Sequence, residues 1–150
     1  TLELFDTYGS NDPLPKLFHL LNKAVATGQP LDMSGGEQLI DLVHIDDVTS
    51  AYLLAAYRLL QHSIQKREIY AISSGNPLPL KELIELYTEI NQKPLQINWG
   101  ARPYRDREVM IPWNKGEALP SWQPQIDLRK GIQRLMKVSE SENSGEQISS

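Results

Sequence analysis

The stretch Leu39-Ile40-Asp41-Leu42-Val43-His44-Ile45-Asp46-Asp47-Val48-Thr49-Ser50-Ala51-Tyr52-Leu53-Leu54-Ala55-Ala56 decides the fold. Its first half is apolar and β-prone. Its second half is alanine- and leucine-rich. No turn residues separate the two, so a short strand feeds directly into a helix. Asp46 or Asp47 can cap the helix N-terminus, with Val48, Ala51, Tyr52, Ala55 and Leu59 on the buried face.

Working outward, Leu2 to Phe5 is a strand candidate that ends in the turn-rich run Tyr8-Gly9-Ser10-Asn11-Asp12-Pro13. Leu17, Leu20, Leu21, Ala24 and Val25 form one helical face. Gly28 stands at the C-cap position and Pro30 forbids continuation. Leu31 to Met33 reads as a short strand before the Ser34-Gly35-Gly36 turn. Glu68 to Ile72 is a second strong strand, and the spacing of Leu80, Leu83, Ile84 and Tyr87 predicts a helix to Asn91. Gln96 to Trp99 reads as a strand. Residues 100–125 are irregular and proline-rich, and Asp127 caps a last helix with Leu128, Ile132, Leu135 and Met136 inward.

The content is α/β. Leu2 to Phe5 and Ile69 to Ile72 read as members of a parallel sheet, which needs further neighbours and covered faces. The chain opens inside a strand-like run and lacks an initiator Met, so it is expected to be part of a longer protein. Residues 1–138 are expected to form the ordered domain. Residues 139–150, polar and rich in Ser and Glu, are expected to be a disordered tail.

Composition narrows the function classes. The 150 residues are 40% hydrophobic and carry a formal charge of -4. Glu140, Glu142 and Glu146 supply three of those charges, so the rest of the chain is close to neutral and shows no nucleic-acid footprint. No apolar run is long enough to span a bilayer, so no membrane partner is expected. The absence of cysteine excludes thiolate catalysis and Cys-based zinc sites and fits the cytoplasm.

Candidate chemistry is sparse. His44, Asp46 and Asp47 are close in sequence, but on a strand 44 and 46 share a face that 47 does not, so helix capping is the plainer reading than metal ligation. The serine turns are not nucleophile elbows. No G-x-G-x-x-G loop exists, and none of the six tyrosines is followed four residues on by lysine. No catalytic residue is therefore assigned. One cluster remains: Arg102-Pro103-Tyr104-Arg105-Asp106-Arg107. Three guanidiniums in six residues can grip a diphosphate bidentately, and Tyr104 offers a ring face. The alternative is a solvated loop balanced by Asp106 and Glu108.

Six segments in order resemble the C-terminal half of an extended short-chain dehydrogenase/reductase. They are Leu4-Phe5-Asp6-Thr7-Tyr8-Gly9, Gly35 to Val48, Ile69 to Gly75, Leu80 to Leu83, Arg102-Pro103, and Trp122-Gln123-Pro124 with Leu128 to Ile132. The resemblance implies the last strands of a Rossmann-type parallel sheet beside a substrate-binding part, with the nucleotide-binding half incomplete. It implies a nucleotide-diphosphate sugar as partner and NAD or NADP as cofactor, the latter held mainly by a missing N-terminal part. Leu31, Asp32 and Met33 would meet the nucleotide base and Arg102 the diphosphate. Lys16 would line the substrate pocket, and Phe5 and Asp6 would face the nicotinamide and sugar.

Two positions depart from the family pattern. Asp6 replaces its usual Asn beside phosphate, and Ile40 replaces an Arg that holds the diphosphate; Arg105 or Arg107 is the candidate substitute. The run Gly100 to Trp113 most resembles enzymes making CDP-linked dideoxyhexoses. The lead expectation is the sugar-binding portion of an NAD(P)-dependent epimerase, dehydratase or reductase, inactive alone. A non-catalytic binding module and a stand-alone α/β domain remain as alternatives. Unpaired strand edges would also permit a homodimer.

Overall fold

A computed structural model describes residues 1–10, 12, 14, 16–62, 66–113 and 115–146, the side chains only as far as Val138. Strand β1 is Leu2–Leu4 and β2 is Asp6–Tyr8. Helix α1 is Leu17–Thr27, and it ends at Gly28, whose φ of 66° is the left-handed geometry a C-cap glycine supplies. Strands β3 (Leu31–Asp32), β4 (Leu39–Ile40) and β5 (Leu42–His44) lead into α2, Ile45–Leu60. Then come β6 (Tyr70–Ile72), β7 (Leu78–Pro79), α3 (Leu80–Asn91), β8 (Ile97–Asn98), β9 (Glu117–Ala118) and α4 (Leu128–Glu146).

The two strands expected in a parallel sheet do pair, Leu2 opposite Tyr70 and Leu4 opposite Ile72. Strand β9 adds in parallel on the far side of β6, so β1 lies at an edge. The opening strand also continues further than expected. Past Phe5 it becomes β2 and changes partner, running parallel to β5 with Asp6 opposite Leu42 and Tyr8 opposite His44. Tyr8, expected in a loop, is therefore a buried strand residue packed edge-on against the His44 ring. The pair β3–β8 is parallel and β4–β7 antiparallel.

Two apolar clusters hold these pieces. Leu21 of α1, Leu80, Leu83, Ile84 and Tyr87 of α3, and Ile132 of α4 form one. All four residues read as the inward stripe of α3 are buried. Val43, Val48, Ala51, Tyr70, Ile72 and Leu119 form the other, between α2 and the β1–β6–β9 sheet.

Helix α2 corrects three expectations. Its N-cap is His44, whose Nδ1 accepts from the Asp46 N–H at 3.2 Å. Burial lowers the His44 pKa more than the Asp46 carboxylate raises it, so the ring is held in the neutral form that capping requires. Asp47 lies in the first turn, fully buried, and its carboxylate accepts from the backbone N–H groups of Gln125 and Ile126 at 2.9 and 3.0 Å. Trp122 donates to Ser50 Oγ at 2.9 Å, so the closing segment is pinned to the start of α2. Third, Tyr52 and Leu59, read as inward, face solvent.

Asp127 caps α4 as expected, accepting from the Lys130 N–H at 2.9 Å. The backbone of α4 continues to Glu146, into the segment expected to be without order. Once the first turns are anchored by Ile132, each further residue extends the helix without a new nucleation cost. Residues 147–150 lie outside the described residues.

Candidate functional site

The pair β3–β8 brings together segments far apart in sequence. Leu31 N–H donates to Gln96 O at 2.9 Å and Met33 N–H to Asn98 O at 3.1 Å. The Asn98 amide donates to Asp32 at 2.8 Å. The chain then turns at Gly100, and Arg102 N–H donates back to Met33 O at 3.1 Å. The Leu31–Met33 segment and the arginine loop thus form adjoining walls.

Two further ties hold the loop. The Tyr104 hydroxyl donates to the Glu37 carboxylate and accepts from the Glu37 N–H at 3.2 Å. The hydrogen bond from Tyr104, more than the Lys81 ammonium 3.3 Å away, holds the Glu37 carboxyl below its ordinary range. Gly36, at φ 81°, has Trp99 and Lys81 so close that a Cβ would collide with both, which explains a glycine there. Met110 O accepts from Leu39 N–H at 2.9 Å at the other end of the loop. Tyr104 therefore serves as a strut between the loop and Glu37.

These walls enclose an open cleft of about 1050 Å³. Phe5, Asp6, Leu31, Asp32, Met33, Arg102 and Arg105 all line it, as do Arg107 and Ile40. Among the described residues no carboxylate lies within ion-pair distance of the three guanidiniums. Glu108, expected to balance them, instead caps a turn by accepting from the Arg105 N–H at 3.4 Å. The three guanidiniums thus reach the cleft without a direct ion pair among the described residues, on a wall they share with Glu3, Asp6, Asp32, Asp41 and Glu108.

Lys16 does not line this cleft. It lines an adjoining cavity of about 650 Å³, where its ammonium meets Asp12 at 2.9 Å. Asp6, Leu20, Ile40 and Arg105 border both spaces. Asp6 is open to solvent through them, yet surrounding protein desolvates it enough to raise its pKa; Lys16 opposes that shift and Asp41 adds to it.

Among the cleft residues that sequence reasoning missed, four carry polar or aromatic groups of interest. Ser34 accepts from the Gln38 amide at 3.2 Å, and Gln38 is buried with its Oε1 unpartnered among the described residues. Asp41, also buried, accepts from the Ser73 hydroxyl and from Ser74 N–H at 2.8 Å. Trp113 stands half exposed at the wall. The only signal for Asp41 was a charge inside an apolar strand run, which calls for a partner. Among the described residues no cluster of three metal-ligating side chains occurs, and no helix is long and apolar enough to cross a membrane.

No family model matches the chain. Individual proteins do. CDP-abequose synthase of Salmonella muenchen is 26% identical over 142 residues, which cover 93% of this chain and 47% of that protein. CDP-abequose synthase of Yersinia pseudotuberculosis is 32% identical over 111 residues, covering 74% of this chain and 38% of that protein. Among solved structures, MoeE5 in complex with UDP-glucuronic acid and NAD superimposes with a TM-score of 0.74 at 22% identity, over 94% of this chain and 46% of that one.

The homologues of this chain are enzymes that act on nucleotide sugars, and the fold it shares with MoeE5 is that of a protein solved with UDP-glucuronic acid and NAD. The chain is a homologue of one part of such enzymes and spans less than half the length of the curated relatives described above.

Proposed function

We propose that this chain is the nucleotide-sugar-binding part of an NAD(P)-dependent epimerase, dehydratase or reductase, corresponding to the C-terminal portion of such an enzyme and working in the cytoplasm. The observation that carries this reading is the cleft between Leu31–Met33 and the arginine loop. Arg102, Arg105 and Arg107 line it and make no ion pair among the described residues with the carboxylates that share its wall, which leaves their donors open to a diphosphate. Ile40 contributes no charge, and the loop supplies what that position lacks.

This chain offers a dinucleotide only the rim at Phe5 and Asp6. It has no glycine-rich loop for a pyrophosphate. NAD or NADP would be held mainly by residues of the longer enzyme and would accept or return the hydride there. The residues of this chain bind and orient the sugar nucleotide.

Calorimetric titration with CDP-glucose and UDP-glucose tests the reading. The wild-type chain should bind one or both, without turnover. Arg102→Ala should weaken binding by about tenfold or more, the loss expected for one charge-assisted contact. No binding, or binding indifferent to Arg102, overturns the reading. A non-catalytic binding module is favoured by Asp6 and Ile40. It predicts binding by the parent enzyme with no hydride transfer.

A further inference from the structure

The corner where β5 runs into α2 is closed by an uncharged ring. His44 is buried, and its Nδ1 accepts from the Asp46 N–H at 3.2 Å. With Nδ1 as acceptor, the one ring proton of the neutral imidazole sits on Nε2. The common capping side chains, Ser, Thr, Asn and Asp, present oxygens that remain acceptors near neutral pH. Imidazole is the exception, because a single proton turns both of its nitrogens into donors.

Protonation at this corner has no ready compensation. The new Nδ1–H would face the Asp46 N–H, donor against donor, and its charge would stand at the positive end of the α2 dipole. The nearby carboxylates are engaged elsewhere. Asp46 lies 3.6 Å from Nδ1 but already holds the Arg134 guanidinium of α4 at 3.3 Å, a cation that itself repels a charged ring. Asp47 is taken by the Gln125 and Ile126 N–H groups. From β2, Tyr8 packs against the ring with centroids 5.3 Å apart and brings no charge, since burial keeps its hydroxyl protonated.

We propose that His44 is an acid-sensitive cap, whose protonation releases the first turn of α2 and, with it, the closing segment that Asp47 and Trp122 fasten to that turn. The folded chain favours the neutral ring. The stability it contributes is therefore whole above the ordinary histidine value of about 6.5 and is lost as pH falls below it. His44 lines neither cavity, so this behaviour does not depend on the nucleotide-sugar reading.

The test follows chemical denaturation of the whole chain between about pH 8 and pH 5, beside His44→Asn, whose amide oxygen caps without titrating. Below about pH 6.5 the folding constant of the wild type should fall by up to about tenfold more per pH unit than that of the variant, the effect of one extra proton bound on unfolding. Other titrating groups are common to both chains and cancel in the difference. Parallel pH profiles overturn the proposal. Nuclear magnetic resonance of the wild type decides the matter even if His44→Asn does not fold. The His44 ring should titrate below its ordinary value, and the hydrogen-exchange protection of the Asp46 N–H should fall in step. A ring that titrates at or above that value, or a protection that ignores the titration, overturns the proposal equally.

Discussion

Helices α2 and α3 are written in the same amphipathic code and end differently. In α3 the stripe Leu80, Leu83, Ile84 and Tyr87 is buried against α1 and α4. In α2 only Val48, Ala51 and the buried Asp47 are covered, while Leu53 and Leu60 are 68% and 76% exposed and Tyr52, Tyr57 and Leu59 join them on the surface. Apolar spacing says that a face needs cover. It does not say whether this chain supplies the cover. Helix α3 is completed internally; α2 is held at its start, along one side and, in its last turn, through Arg58 to Glu68 and Tyr70, with its outer face open.

That contrast can be broken by mutation. The largest effect should come from Leu83→Ala, which empties a fully buried site and should cost about 3 kcal/mol in chemical denaturation. Next is Asp47→Ala. It strips the acceptors from the backbone N–H groups of Gln125 and Ile126 and should cost about 2 kcal/mol, freeing the closing segment from α2. A loss as large as that of Leu83→Ala would mean that the α2 region is as tightly built as α3. The smallest is Leu53→Lys, expected to shift stability by less than about 0.5 kcal/mol while reducing self-association in sedimentation. A cost of several kcal/mol there would show that the outer face of α2 is covered after all.

The same contrast marks how far the sequence could be read. Helix α3 was legible to its last residue, because spacing and burial coincide. The fold class and the β1–β6 pairing followed from two apolar runs. The partner switch at Phe5 was not legible, since nothing in Leu-Phe-Asp-Thr-Tyr distinguishes one long strand from two. Nor was the His44 cap: aspartates are the commoner caps, and only burial of Asp47 by the distant Gln125–Ile126 backbone takes it out of contention.

In the site, six of the seven substrate-side candidates line one cleft because β3–β8 pairing joins residues 31–33 to the arginine loop. Lys16 lies next door. The strut role of Tyr104 depends on Glu37, 67 residues away, and no local pattern carries such a contact.

The switch at Phe5 has a thermodynamic consequence. One residue separates β1, whose outer edge is unpaired among the described residues, from Asp6 on the wall of the cleft. A strand docked along that edge would sit one residue from the cleft wall, so any coupling between edge and cleft would run through Phe5 and would have to be reciprocal.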